Sequence, residues 1–215
     1  MMAERKRPRR TRERIVETSL QLFNRDGAPN VTTADIADEM GISPGNLYYH
    51  FRNKDQIIAE LFAAFEQRLD GLFAAPAGRL ADVEDLWLVL HLLFEAMWDY
   101  RFVYRDLDEM LSRNPRLESR FSRLVRSGRR TTQKLCADMV AAGAMEASEP
   151  EIAALADNVA LVATYWMSYQ KIASPDQRRQ PPSLDRAAYQ VLSLIAPFLR
   201  GPARALLARL SQGYL

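Results

Sequence analysis

The stretch from Thr33 to Lys54, TADIADEMGISPGNLYYHFRNK, decides how this 215-residue chain is read. Thr32-Thr33-Ala34-Asp35 has the spacing of a capping box, in which a hydroxyl and a carboxylate three residues apart satisfy each other's backbone N–H groups at a helix start. Ala34, Ile36, Ala37 and Met40 supply the apolar positions, and Gly41 ends the helix as a residue free to turn left-handed. Ser43 then caps a second helix with Pro44 at its first position, where a missing N–H costs nothing. A helix over 33–40, the turn Gly41-Ile42-Ser43 and a brief helix over 44–51 make the pattern of a helix-turn-helix.

The second of these helices carries the chemistry. At about 100° per residue, Leu47 and Phe51 share an inward side, Gly45 and Tyr49 point the opposite way, and Asn46, Tyr48 and His50 lie on the flanks. The outward face is polar-aromatic and uncharged, Arg52 and Lys54 follow it, and no acidic residue occurs from Ser43 to Lys54. Such a face suits contact with phosphates, which a carboxylate would repel. Gly45 admits a close approach, and the free N–H groups at the helix start favour an anion.

Outward from this motif, helical spacing continues in both directions. Residues 11–26 place Ile15, Val16, Leu20, Leu22 and Phe23 at intervals of three and four, ending at Gly27. Asn53-Lys54-Asp55-Gln56 opens a longer amphipathic helix through Ile57, Ile58, Leu61, Phe62, Phe65 and Leu69, and Ala74–Gly78 breaks it. Further helices are expected near 82–99, 102–113, 115–142, 149–172, 184–199 and 202–212, with the Pro-rich segment 174–183 as a loop. No run alternates as a strand would, so the expected fold is all-α. A basic disordered arm over 1–10 precedes a three-helix helix-turn-helix domain over 11–56, and a larger helical ligand-binding and dimerisation domain follows over 57–215.

Composition narrows the function classes. One cysteine, Cys136, rules out an intramolecular disulfide, and two distant histidines leave no metal-ligand cluster. No glycine-rich phosphate loop, G-x-S-x-G or H-E-x-x-H occurs, so no enzyme, metal or cofactor is expected. The longest strongly apolar stretch, Leu86–Phe94, is too short to cross a bilayer, and no apolar segment follows the basic start as in a signal peptide; the expected location is the cytoplasm. The net charge of +2 conceals an asymmetry: residues 1–14 carry seven basic and two acidic side chains, or +5, leaving −3 on the remainder. A basic arm on a mildly acidic body points to a polyanion, or else to a solvated tail.

Residues 15–54 resemble the N-terminal domain of the TetR (tetracycline-repressor-like) family. The resemblance rests on Ile15, Leu22, Phe23, Gly27, Thr33, Ile36, Ala37, Gly41, Ser43, the run Gly45-Asn46-Leu47-Tyr48-Tyr49-His50-Phe51, and Lys54. It implies a homodimeric bacterial transcription regulator, usually a repressor, that binds a palindromic double-stranded DNA operator and takes no cofactor. The helix over 44–50 then enters the major groove, with Pro44, Gly45, Asn46 and Tyr48 placed for base edges and Thr33, Ser43, Tyr49, His50 and Lys54 for phosphate. The arm, mostly arginine, is read either as a minor-groove reader or as a general phosphate attractor. The rival to this reading is an architectural DNA-binding protein without effector sensing.

The second region is aromatic. Residues 87–104 contain six aromatics in 18 positions against 9% overall, and Trp87, His91, Phe94 and Trp98 form one helical stripe. The stripe is either ordinary core or, with Tyr165 and Tyr169, the lining of a cavity for a small apolar or amphipathic effector; the resemblance favours the cavity. The 149–172 helix is apolar nearly all round and needs cover on two sides, one of them from a second copy of the chain, with the 184–199 helix beside it. The 115–142 helix bears an arginine stripe, Arg116, Arg120, Arg123, Arg126, Arg129 and Arg130, read as a solvated face or as an anion-binding wall.

Overall fold

The computed structural model describes residues 8–73, 78–173 and 184–214. Its α-helices are α1 (Pro8–Asp26), α2 (Thr33–Met40), α3 (Pro44–His50), α4 (Lys54–Leu72), α5 (Val83–Asp99) and α6 (Arg101–Arg105). They continue with α7 (Leu107–Arg113), α8 (Pro115–Ala141), α9 (Glu149–Ala173), α10 (Leu184–Ile195) and α11 (Gly201–Ser211). The described residues form no strand beyond one isolated antiparallel bridge between Met145 and Leu199. The expected all-α class is what the structure has.

Helix ends differ from expectation where local chemistry intervenes. The helix expected over 102–113 is two helices, because Asp106 leaves helical geometry at φ −121° and ψ 27°. The helix expected to run to 199 stops at Ile195: Pro197 has no N–H to continue it, and Ala196–Phe198 tighten into a 3₁₀ turn. The turn then pairs with the α8–α9 connection, as the Arg200 N–H reaches the Ala144 carbonyl and the Glu146 N–H reaches that of Phe198, both at 2.9 Å. The arm expected over 1–10 overlaps α1, which begins at Pro8; Met1–Arg7 and the loop expected over 174–183 lie outside the described residues.

The chain divides into two compact units, one of residues up to Gln67 with Tyr100–Leu117, the other of Arg68–Asp99 with Glu118 onward. In the first, α1, α2 and α3 close over Ile15, Phe23, Ile36, Ala37, Leu47 and Phe51, none more than 1% exposed. Ile57, Leu61, Phe62 and Phe65 of α4 are equally buried. α6 is fastened to the end of α1: the Phe102 ring lies 5.5 Å from that of Phe23, and its N–H donates to Asn24 Oδ1 at 3.1 Å. Gly27 is required there twice over. Its φ of +91° is a left-handed value, and an added Cβ would collide with the Arg105 guanidinium and lie 2.9 Å from Asp106 Oδ2.

In the second unit α10 lies against α9 and α5, and α11 packs on α5. Ala187, Ala188, Val191, Leu192 and Ile195 make the buried side of α10, and Leu86, Met97, Leu135 and Met139 are buried in the same unit. Cys136 is also buried there, and burial pushes its thiol up to about 11, so it stays protonated at neutral pH.

Candidate DNA-binding face

The start of α2 is the capping box expected from the sequence. Thr32 N–H donates to Asp35 Oδ2 at 2.8 Å, and the Asp35 N–H donates to Thr32 Oγ1 at 3.2 Å. The backbone N–H of Thr32, and then its hydroxyl, hold the Asp35 carboxyl below its usual range. Gly41 ends α2 at φ 63° and ψ 38°, its N–H turned back onto the carbonyls of Ala37 and Asp38. These two ends fix the turn that launches α3. Ser43 caps α3 through a 3.3 Å bond from the Asn46 N–H to its Oγ, with Pro44 in the first turn.

Leu47 and Phe51 are buried to within 1%, as the helical wheel requires, and this turns the rest of α3 outward. Ser43, Pro44, Gly45 and Asn46 are exposed, and Thr33 and His50 half-buried. Tyr48 and Tyr49 are 51% and 80% exposed, large for aromatic rings. Tyr48 does not swing freely: its hydroxyl sits 3.1 Å from Thr33 Oγ1, tying the outward face of α3 to the first turn of α2. The Tyr49 and His50 rings meet edge to face at 5.1 Å. A Cβ added at Gly45 would meet nothing within 4 Å, and its backbone is helical, so the chain's own packing does not demand glycine there.

Lys54 stands apart from the other DNA-face candidates. It is half-buried, and its ammonium donates to the carbonyls of Ala28 at 2.7 Å and Val31 at 2.9 Å, closing the turn between α1 and α2. Arg12, which the sequence offered only as one of the seven basic residues of 1–14, is exposed but is also engaged by the chain itself. Its guanidinium lies 4.2 Å from the centre of the Phe51 ring, donates to the His50 carbonyl at 3.1 Å and pairs with Glu60. It therefore pins the end of α3 onto α1 and α4. A clue lay in its place three residues before the buried Ile15, a spacing that makes the two neighbours on α1.

Two of the candidate effector residues meet on α5. Trp87 and His91 stack at 5.1 Å, and His91 Nδ1 shares a 2.8 Å hydrogen bond with the Tyr214 hydroxyl. Phe94 is buried, Trp98 is half-buried, and Tyr165 and Tyr169 stand 46% and 58% exposed on α9. Tyr214, which sequence reasoning missed, thus occupies the polar side of His91. A separate cavity of about 260 Å³ lies in the first unit, lined by Ala28, Pro29, Ile58, Met110 and Leu117 among others. No group of three side chains that could hold a metal ion occurs among the described residues, and no described helix is long and apolar enough to cross a membrane.

Comparison with known proteins fits this architecture. Residues 15–61 match the family of bacterial regulatory proteins of the tetR type, and residues 64–207 match a second model described as a bacterial transcriptional repressor. A TetR-family transcriptional regulator from Marinobacter aquaeolei superposes with a TM-score of 0.83 at 36% identity, over 95% of this chain and 98% of that one. The HTH-type transcriptional repressor KstR2 of Mycobacterium tuberculosis is 30% identical over 112 residues, 49% of this chain; the match spans about half, 54%, of that curated relative's length. A regulator of Saccharomonospora viridis, solved in complex with choline, shares the fold with a TM-score of 0.67 at 20% identity, over 90% of this chain and all of that one. These matches are to transcriptional regulators, not to enzymes. A two-part helical chain that opens with this capped helix pair, and matches the family models over both its parts, belongs to the TetR family of bacterial transcriptional regulators.

Proposed function

We propose that the chain is a repressor that binds a palindromic operator as a homodimer and leaves it when a small, largely apolar effector binds. The observation that carries the DNA half is α3. It presents Gly45, Asn46, Tyr48 and Tyr49 outward with no charge, while the neighbouring cations Arg12 and Lys54 are engaged by groups of the chain itself. Pro44, Gly45, Asn46 and Tyr48 read base edges in the major groove, and Thr33, Ser43, Tyr49 and His50 hold phosphates on either side. The open space around Gly45 supports close approach of a groove wall at the one point where a side chain would stand in the way.

The dimer half draws on α9. Leu161, Tyr165, Tyr169 and Ile172 are between 46% and 81% exposed and follow one another at four, four and three residues, one stripe along the helix. Exposed apolar residues so aligned mark an interaction surface, and a second copy of the same stripe is its natural cover. Tyr165 and Tyr169 fit this role better than that of pocket lining. The effector site then rests on α5, around Phe94 and Trp98. The choline complex of the Saccharomonospora viridis regulator supports a small-molecule site in this fold. Selection of bound duplexes from a random pool, followed by footprinting, tests the reading. Two inverted half-sites about one helical turn apart are expected; one asymmetric site held by a monomer overturns it.

A further inference from the structure

We infer that the outer face of α8 is a second, sequence-independent contact surface for the phosphate backbone of duplex DNA, built from residues other than those of the helix-turn-helix. Taking Arg123 as zero on the wheel, Arg130 and Lys134 fall within about 20° of it and Arg120 and Arg126 within about 60°. From Arg120 to Lys134 these five cations run along roughly 21 Å of helix at 1.5 Å per residue. No acidic residue occurs on α8 between Glu118 and Asp138.

The structure turns this face to solvent. Leu124, Leu135, Cys136 and Met139 form the buried side of α8, and Arg123, Arg126, Arg130 and Lys134 are exposed. Charges that leave the stripe are neutralised: Arg129, on the flank, pairs with Asp157 of α9. Within it, Lys134 reaches Asp138 one turn on, whereas Arg126 and Arg130 make no ion pair among the described residues.

The occupant follows from what the face lacks. A stable protein partner is favoured by a buried apolar anchor at the centre of its interface, and an anionic membrane without apolar side chains to insert offers only about 1 kcal/mol per cation. None of the large exposed apolar side chains of the described residues lies on α8. A row of guanidinium groups with only small and polar neighbours suits a partner recognised through charge alone, and duplex DNA carries one phosphate per about 1.7 Å of its axis. Its binding there requires no sequence and no groove.

The test uses the full chain. An immobilised random-sequence duplex is loaded with protein, and capture of a second, labelled random duplex is measured at about 50 mM salt and above. The wild type captures it. R126E/R130E loads the first duplex within twofold of wild type but captures the second at least tenfold less. R126Q/R130Q lowers the salt slope of second-duplex capture by about 1.8, two phosphates at roughly 0.9 each. No capture by the wild type, or equal capture by wild type and R126E/R130E, overturns the assignment. So does binding of phosphatidylserine vesicles as tight as that of duplex, lost in the same variant.

Discussion

Replacing Lys54 by Met separates a structural cation from a phosphate contact. By position Lys54 is a phosphate ligand; in the structure its ammonium holds the Ala28 and Val31 carbonyls at 2.7 and 2.9 Å. Hydrogen bonds from a charged donor contribute about 1.5–3 kcal/mol each when fully buried. Lys54 is only half-buried, so water replaces part of the loss when the ammonium is removed. A net destabilisation of about 2 kcal/mol is expected, read as a fall of about 4–8 °C in Tm for a chain of this size. The same variant, assayed on random duplex well below its Tm, should keep the wild-type slope of log K against log salt, since no phosphate contact is lost. A direct contact predicts the reverse pair: an unchanged Tm and a slope smaller by about 0.9. Thermal melts by circular dichroism and a salt titration by fluorescence anisotropy decide between them. The second pattern refutes the structural reading of Lys54.

Gly45→Ala should raise stability by about 0.5–1 kcal/mol, as alanine does for glycine within a helix, yet weaken operator binding; a variant that is more stable and binds as well leaves Gly45 without a role in groove approach. Leu161→Glu with Tyr165→Glu should convert the dimer to a folded monomer, measured by sedimentation velocity, because both residues lie on the exposed stripe of α9. Asp35→Asn should cost stability at neutral pH and converge with wild type in acid. The Asp35 carboxyl is held below its ordinary value near 3.8, so its contribution is present above that value and lost as pH falls through the lower folded-state value. A difference between the two proteins that stays constant down to about pH 2 argues against this linkage.

The fold was legible where local chemistry decides it. Thr32 with Asp35, Gly41, and Ser43 with Pro44 each satisfy a helix end by themselves, so the α2–α3 pair could be read without knowing what surrounds it. Leu47 and Phe51 were legible as inward residues because the period of a helix leaves them no alternative. What the sequence concealed depends on residues far apart in the chain. Arg12 meets Phe51 and Glu60 across 39 and 48 positions, and Lys54 reaches back 26 to Ala28. His91 finds its hydroxyl partner 123 residues on, at Tyr214. A cation near a recognition helix looks the same in sequence whether it faces a phosphate or a carbonyl; only packing separates the two.

The engagement of Arg12 and Lys54 by the chain's own groups bears on how the proposed DNA contact divides its work. Arg12 lies on the Phe51 ring and pairs with Glu60, and Lys54 closes a turn, so both cations are engaged within the domain, while Arg52 beside them is exposed. A recognition helix so placed has little charge of its own to attract phosphate. Its outward groups, Asn46, Tyr48 and Tyr49, are suited instead to short-range hydrogen bonds and apolar contact with base edges, which discriminate sequence but act only on contact. The long-range attraction that brings a regulator to DNA and lets it search must then come from cations elsewhere in the chain. The start of the chain, with seven basic side chains in residues 1–14, and the exposed face of α8 are two such concentrations. On this division, weakening the cations at the start of the chain slows association and lowers non-specific affinity with little change in operator preference, while weakening the α8 face lowers only the capture of a second duplex. Changing Asn46 or Tyr48 does the opposite, erasing preference while leaving non-specific affinity nearly intact.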